Sequence, residues 1–110
     1  PPLKAQELQD SKPVEDSVTV RLRVIQAYNL QMQRQGFLNQ SLSPQQLEQY
    51  ALLDDGSQKI IALAQQRLNL SARAYHRVIR VARTIADLAQ SEQIQSMHLT
   101  EALSYRSQEN

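Results

Sequence analysis

Cysteine is absent from this 110-residue chain, so disulfides and thiolate metal sites are excluded. Glycine occurs twice, at Gly36 and Gly56, and no window alternates with period two for long enough to specify a strand. No apolar run approaches the roughly 18 residues of a membrane span, and no signal peptide is present. The expectation is a cytoplasmic protein without membrane contact. One-sided charge is also missing: 12 Lys and Arg against 11 Asp and Glu leave a formal net charge of +1. Any affinity for phosphate or nucleic acid must therefore come from local clustering rather than a general basic field. The chain opens on Pro1 and Pro2 without an initiator Met, which suggests a piece of a longer polypeptide.

What is present is helical periodicity, enough for one modest domain. Residues 1–16 are rich in Pro, Lys, Gln and acids without a sustained period, and Pro13 would break a helix, so they read as a flexible linker. From Ser17 the positions of Val20, Val24, Ala27, Leu30, Gln31 and Arg34 give a helix to Gln35, stopped by Gly36. Ser43-Pro44 caps a short second helix with Leu47, Tyr50 and Ala51. Asp54, Asp55 and Gly56 read as a turn and cap rather than as acid/base catalysts. They open a third helix with Ile60, Ile61, Leu63 and Ala64, ending near Leu68. Ser71 caps a fourth, in which Tyr75, Val78, Ile79, Ala82, Ile85, Ala86 and Ala89 form an unbroken stripe. A last helix over 96–106 carries Met97, Leu99, Ala102 and Leu103, and residues 107–110 are a tail. The expected fold is an all-α bundle of about five helices over 17–106, preceded by an irregular segment.

The fourth helix carries the most informative chemistry. The unpaired amides and aligned peptide dipoles of a first turn favour acids, yet this helix begins with Arg73, His76, Arg77 and Arg80, and its first carboxylate is Asp87. Arg73, Arg77 and Arg80 share one sector opposite the apolar stripe; Arg83 sits at its edge, within reach of Asp87 one turn on. A solvated basic face is the plain interpretation of such a run. Position favours a sharper one: Arg73, two residues past the Ser71 cap, adds its charge to the helix dipole and makes a concentrated anion site suited to a phosphate oxygen.

Other candidates carry less. His76 and His98 are too far apart for a local metal motif and read as structural or surface residues, so no metal site is assigned. Tyr50, Tyr75 and Tyr105 read as core fillers, and Arg106 as a cation favoured near a helix C-terminus. No Ser, His and Asp trio has a supporting motif context.

The run L-S-A-R-A-Y-H-R-V-I-R-V-A-R-T-I-A-D-L, followed by I-Q-S-M-H-L-T-E-A-L-S-Y-R, resembles the C-terminal helical domain of magnesium-chelatase-like AAA+ ATPases, within them most closely the competence-protein-M group. The upstream V-R-L-R-V-I-Q-A-Y-N-L-Q-M-Q-R is similar to the family's first helix, with Tyr28 standing where arginine is usual. Leu42 closes an N-x-x-L turn after Asn39.

The resemblance implies a lid that follows a nucleotide-binding core, with the family's S-x-R on Ser71, Ala72 and Arg73. Arg73 is then the sensor-2 arginine that meets the phosphates of ATP, with Arg77 and Arg80 as a possible supporting basic face. ATP and Mg2+ are the expected cofactors of the parent. The partners that the resemblance implies for the parent are the missing upstream core, further copies of itself in a ring of six, and DNA. No catalytic residue is expected in the chain itself, which has no G-x-x-x-x-G-K-[ST] and no acidic Walker-B strand. Two alternatives stay open: the lid of a true magnesium chelatase subunit, and a free-standing helical bundle that binds nucleic acid or docks a protein. A lid normally rests against a neighbour, so an exposed apolar patch is expected on the first helix or the Phe37-Leu38 loop.

Overall fold

The computed structural model describes residues 16–106, so most of the expected linker and the 107–110 tail lie outside the described residues. Those residues form five α-helices: α1 (Ser17–Gln35), α2 (Pro44–Tyr50), α3 (Asp55–Leu68), α4 (Ala72–Leu88) and α5 (Ser96–Ser104), with a 3-10 turn at Asn39–Ser41. No membrane-crossing helix is found among them: none is both long and apolar enough.

The helix boundaries follow from local chemistry. Asp16 Oδ1 accepts the Thr19 amide at 2.8 Å and starts α1, a bond that holds the Asp16 carboxyl below the usual carboxylate range. Gly36 ends α1 in the left-handed region, φ 88°, and returns its N–H to the Gln31 carbonyl. Ser43 and Gln46 exchange backbone and side-chain hydrogen bonds around Pro44, a reciprocal cap for a helix of only seven residues. Asp54 accepts from Ser57 N at 2.8 Å to open α3, and Asn69 closes it at φ 51°. Before α5, the Gln95 amide donates to His98 Nδ1 at 3.0 Å, which makes buried His98 a structural residue.

A Cβ at position 36 would meet nothing within 4 Å, so the cost of Gly36→Ala is conformational alone. It is expected to be about 1 kcal/mol, since a side chain disfavours the left-handed region. Urea unfolding followed by circular dichroism measures it, and an unchanged midpoint would refute the assignment.

The core lies around α4. Val78, Ile79, Ala82 and Ala86 pack with Leu42, Leu47, Ala51, Ile61, Ile94, Leu99 and Ala102. Alanines on α4 and α5 let these helices approach closely, and their contact is the most extensive in the fold. Ile94 joins two loops: its amide donates to Leu52 O at 2.8 Å, and its carbonyl accepts from Asp54 N at 3.1 Å and Ser57 Oγ at 2.8 Å. This isolated parallel bridge, Leu53 with Ile94, locks the start of α3 against the start of α5. There Gly56 lies close to α5: a Cβ would stand 2.5 Å from Ser96 Oγ, so the serine hydroxyl would have to turn away to admit a side chain.

Several expected core positions are exposed. Val20, Val24, Leu63, Met97 and Tyr105 all face outward, and α5 ends at Ser104, short of 106. Spacing marks a stripe but not how much of it a neighbour reaches. The first half of α1 runs beyond the bundle, and Tyr105 lies past the last turn, its hydroxyl donating to Glu101.

Candidate functional site

Ser71 sets the start of α4. Its backbone is extended, φ −70° and ψ 165°, and its Oγ accepts the Ala74 amide at 3.1 Å. The first turn holds no acid. Ala72 and Arg73 are exposed there, and no hydrogen bond or ion pair involves the Arg73 side chain among the described residues. Exposed amides, the positive end of a 17-residue helix and a guanidinium thus converge on one edge of the bundle. Beside it, Tyr75 and His76 stack edge to face at 5.3 Å and border a groove of about 390 Å³ floored by Leu47, Ala51 and Ile79. Ser71→Ala is expected to cost about 1 kcal/mol through loss of the cap, measurable by urea unfolding. No change would mean that water serves the Ala74 amide equally well.

The expected basic face divides. Arg77 is exposed but engaged in an interaction of its own. Arg80 is not on an open outer face: it is half-buried, and its Nε donates to Leu42 O at 2.9 Å, fastening α4 to the segment after the 3-10 turn. Arg83, expected at the sector's edge, is 1% exposed. The physical reason is that the end of α1 and the Asn39–Ser41 turn cover this flank of α4, which the helix's own periodicity does not encode.

Beneath them lies a polar network that the sequence signalled through Gln31 and Arg34, two polar residues at core spacing on α1, and through the spacing of Arg83 and Asp87 on α4, which pair as expected. Asp87 is fully buried and is held by Arg34 through two hydrogen bonds of 2.9 and 3.0 Å, by Asn39 Nδ2 at 2.9 Å and by Arg83 at 3.0 Å. Arg83 also donates to Ser91 O at 2.7 Å and Glu92 O at 3.0 Å. Burial draws the Arg83 guanidinium below its usual range and Asp87 opposes that shift. The Asn39 side chain accepts from Arg34 and Gln35 and donates to Thr84 and Asp87, and its backbone amide donates to Gln31 Oε1. Its role in a turn was legible from the N-x-x-L pattern; its place at the centre of this cluster was not.

The effect is mechanical. The last turns of α1 are tied to the last turns of α4, so the arginine end of α4 and the outer end of α1 belong to one rigid frame.

With this arrangement, residues 14–106 match the family described as magnesium chelatase, subunit ChlI C-terminal. The chain belongs to this family. Within the magnesium chelatase C-terminal family it is similar to competence protein ComM of Haemophilus influenzae, 42% identical over 92 residues that make up 84% of this chain and 18% of that protein. It is similar also to the YifB proteins of Salmonella typhimurium, 41% identical over 92 residues, and Escherichia coli, 42% identical over 94 residues. These matches cover 84% and 86% of this chain and 18% and 19% of the respective proteins. The chain thus spans less than a fifth of the length of the curated relatives it matches, and the matched region is their C-terminal part.

Proposed function

We propose that this domain is the helical lid of a longer magnesium-chelatase-like AAA+ ATPase and that Arg73 is its contact to the phosphates of ATP. The observation that carries the proposal is an exposed guanidinium without an ionic partner among the described residues, set beside the first turn of α4. A polyanion suits that edge: guanidinium and peptide dipoles act on the same oxygens. Arg73 would hold a phosphate, and Ser71 would keep the turn in shape. ATP supplies the energy of phosphoanhydride cleavage. Mg2+ would be carried by the upstream core, since no group of three or more metal-ligating side chains is gathered among the described residues. The Arg34–Asp87–Arg83 cluster would pass a tilt at the Arg73 end to α1, because both helices move as one frame.

In this reading the parent is a ring of identical subunits acting in DNA uptake or recombination, a direction suggested by the competence relative. The test is Arg73→Ala in the full-length protein, with ATP affinity and hydrolysis measured; wild-type values for both would remove the assignment. The competing reading is a bundle that grips nucleic acid through Arg73, Arg77 and Arg80. Commitment of Arg80 to Leu42 O weakens it. Titration of the chain with DNA over a range of salt decides: a steep salt slope favours that reading, and no binding favours the lid.

A further inference from the structure

From Val18 to Tyr28, the first half of α1 and the turn that follows it, the helix exposes Val18, Val20, Leu22, Val24, Ile25 and Tyr28, each between 41% and 56% exposed. Burial is confined to the second half of the helix: Ala27 and Gln31 are buried, and Arg34 is bound to Asp87. Taken at about 100° per residue, the six exposed side chains spread over about 200° of the helix circumference, from Val20 round to Leu22. A two-helix seam needs a much narrower stripe. A second copy of α1 laid alongside would leave much of this arc in water, whereas a groove in a larger body would cover it. Among charged residues, α1 has Arg21, Arg23 and Arg34 and no acid; Arg21 falls inside the apolar arc.

We propose that the first half of α1 is a docking element for the polypeptide preceding this domain, inserted into a groove with an apolar floor and a carboxylate on its rim to meet Arg21. Two observations select that occupant. The matched relatives extend over more than four-fifths of their length beyond the region aligned here, and this region is their C-terminal part, so that length reaches the domain at the α1 end. Elsewhere the exposed large apolar side chains are scattered over other elements, whereas at this end six of them fall on one stretch of a single helix, Val18 to Tyr28. The docking rests on the reading of the chain as the C-terminal domain of a longer protein. It adds where the domain is held: at α1, on the side of the frame opposite the anchored turns.

The experiment compares the full-length protein with the 110-residue chain, each with and without Leu22→Asp and Ile25→Asp, by hydrogen exchange of the amides of residues 17–28 and by size. Docking requires exchange at least tenfold slower in the full-length protein than in the short chain, with the paired substitutions abolishing the difference. The short chain should remain monomeric, with its melting temperature unchanged, because the face is already in water. Equal exchange in both wild-type proteins would overturn the proposal. So would self-association of the short chain that the paired substitutions dissolve, since the occupant would then be a second copy. If the aspartates unfold the short chain, Leu22→Ser with Ile25→Ser gives the same readout. ATP affinity of the Arg73→Ala protein is measured separately: slow exchange with unaltered ATP affinity would leave the docking standing and remove the phosphate contact, and the converse result would do the reverse.

Discussion

Replacing Asp87 with alanine is expected to destabilise the domain by about 3–5 kcal/mol, the range for removing one partner of a buried ion pair. For a domain of this size that corresponds to a fall in Tm of roughly 12–40 °C. The reason is what remains behind. Arg83, itself 1% exposed, would lose its carboxylate and keep only carbonyl acceptors, with its Nε already lacking a partner. Arg34 would lose both of its bonds to α4, and Asn39 one of its two donor contacts. Since small domains are stable by only about 5–15 kcal/mol, much of the margin would go. Arg34→Ala should cost less, because its side chain is 23% exposed and Asp87 would retain Arg83 and Asn39. Thermal unfolding followed by circular dichroism provides the comparison. A loss under about 1 kcal/mol for Asp87→Ala would show that water replaces the carboxylate, and the rigid link between α1 and α4 would have to be given up.

Arg73→Ala is expected to act in the opposite manner, leaving the fold intact and damaging nucleotide chemistry. Exposed side chains outside caps and packing usually change stability by less than about 0.5 kcal/mol, so the melting temperature of the chain should hardly move. If Arg73 meets phosphate in the full-length protein as proposed, loss of that charge-assisted hydrogen bond removes about 1.5–3 kcal/mol, or roughly 10- to 150-fold in ATP affinity. Hydrolysis should fall by about 10²–10³ if the guanidinium also neutralises charge that develops in the transition state. Arg73→Lys separates geometry from charge: a point charge should recover part of the affinity and less of the rate, because the planar fork is lost. Arg80→Ala is the informative control. Its guanidinium is spent on the Leu42 carbonyl, so it should lower stability more than ATP affinity.

How far the sequence spoke can be judged residue by residue. The caps were legible because each is a local arrangement: Asp54, Ser43 with Pro44, Ser71 and Gly36 satisfy backbone groups within five positions of themselves, and the helices start and stop where those residues stand. The stripe of α4 was legible for the same reason, since 3.6-residue spacing gathers Val78, Ile79, Ala82 and Ala86 on one side whatever lies opposite. Arg73 and Ser71 sit beside each other by virtue of α4 alone. Val20, Val24 and Met97 obeyed the same spacing and nevertheless face water, because periodicity cannot tell where a neighbouring element ends.

The amino-acid sequence by itself determined the all-α class, the order and caps of the helices, the family, and the position of an uncompensated arginine at the start of α4. Tertiary structure alone decided which other arginines share that edge. Arg80 carries the same charge and nearly the same helical phase as Arg73 and Arg77, and Arg83 stands at the edge of their sector, but the end of α1 and the 3-10 turn close over this flank, and Leu42 O and Asp87 take their donors. Burial and pairing depend on residues brought together from as far as 53 positions apart, Arg34 and Asp87 among them, and such a meeting is specified by the packing of the whole bundle rather than by any stretch of chain.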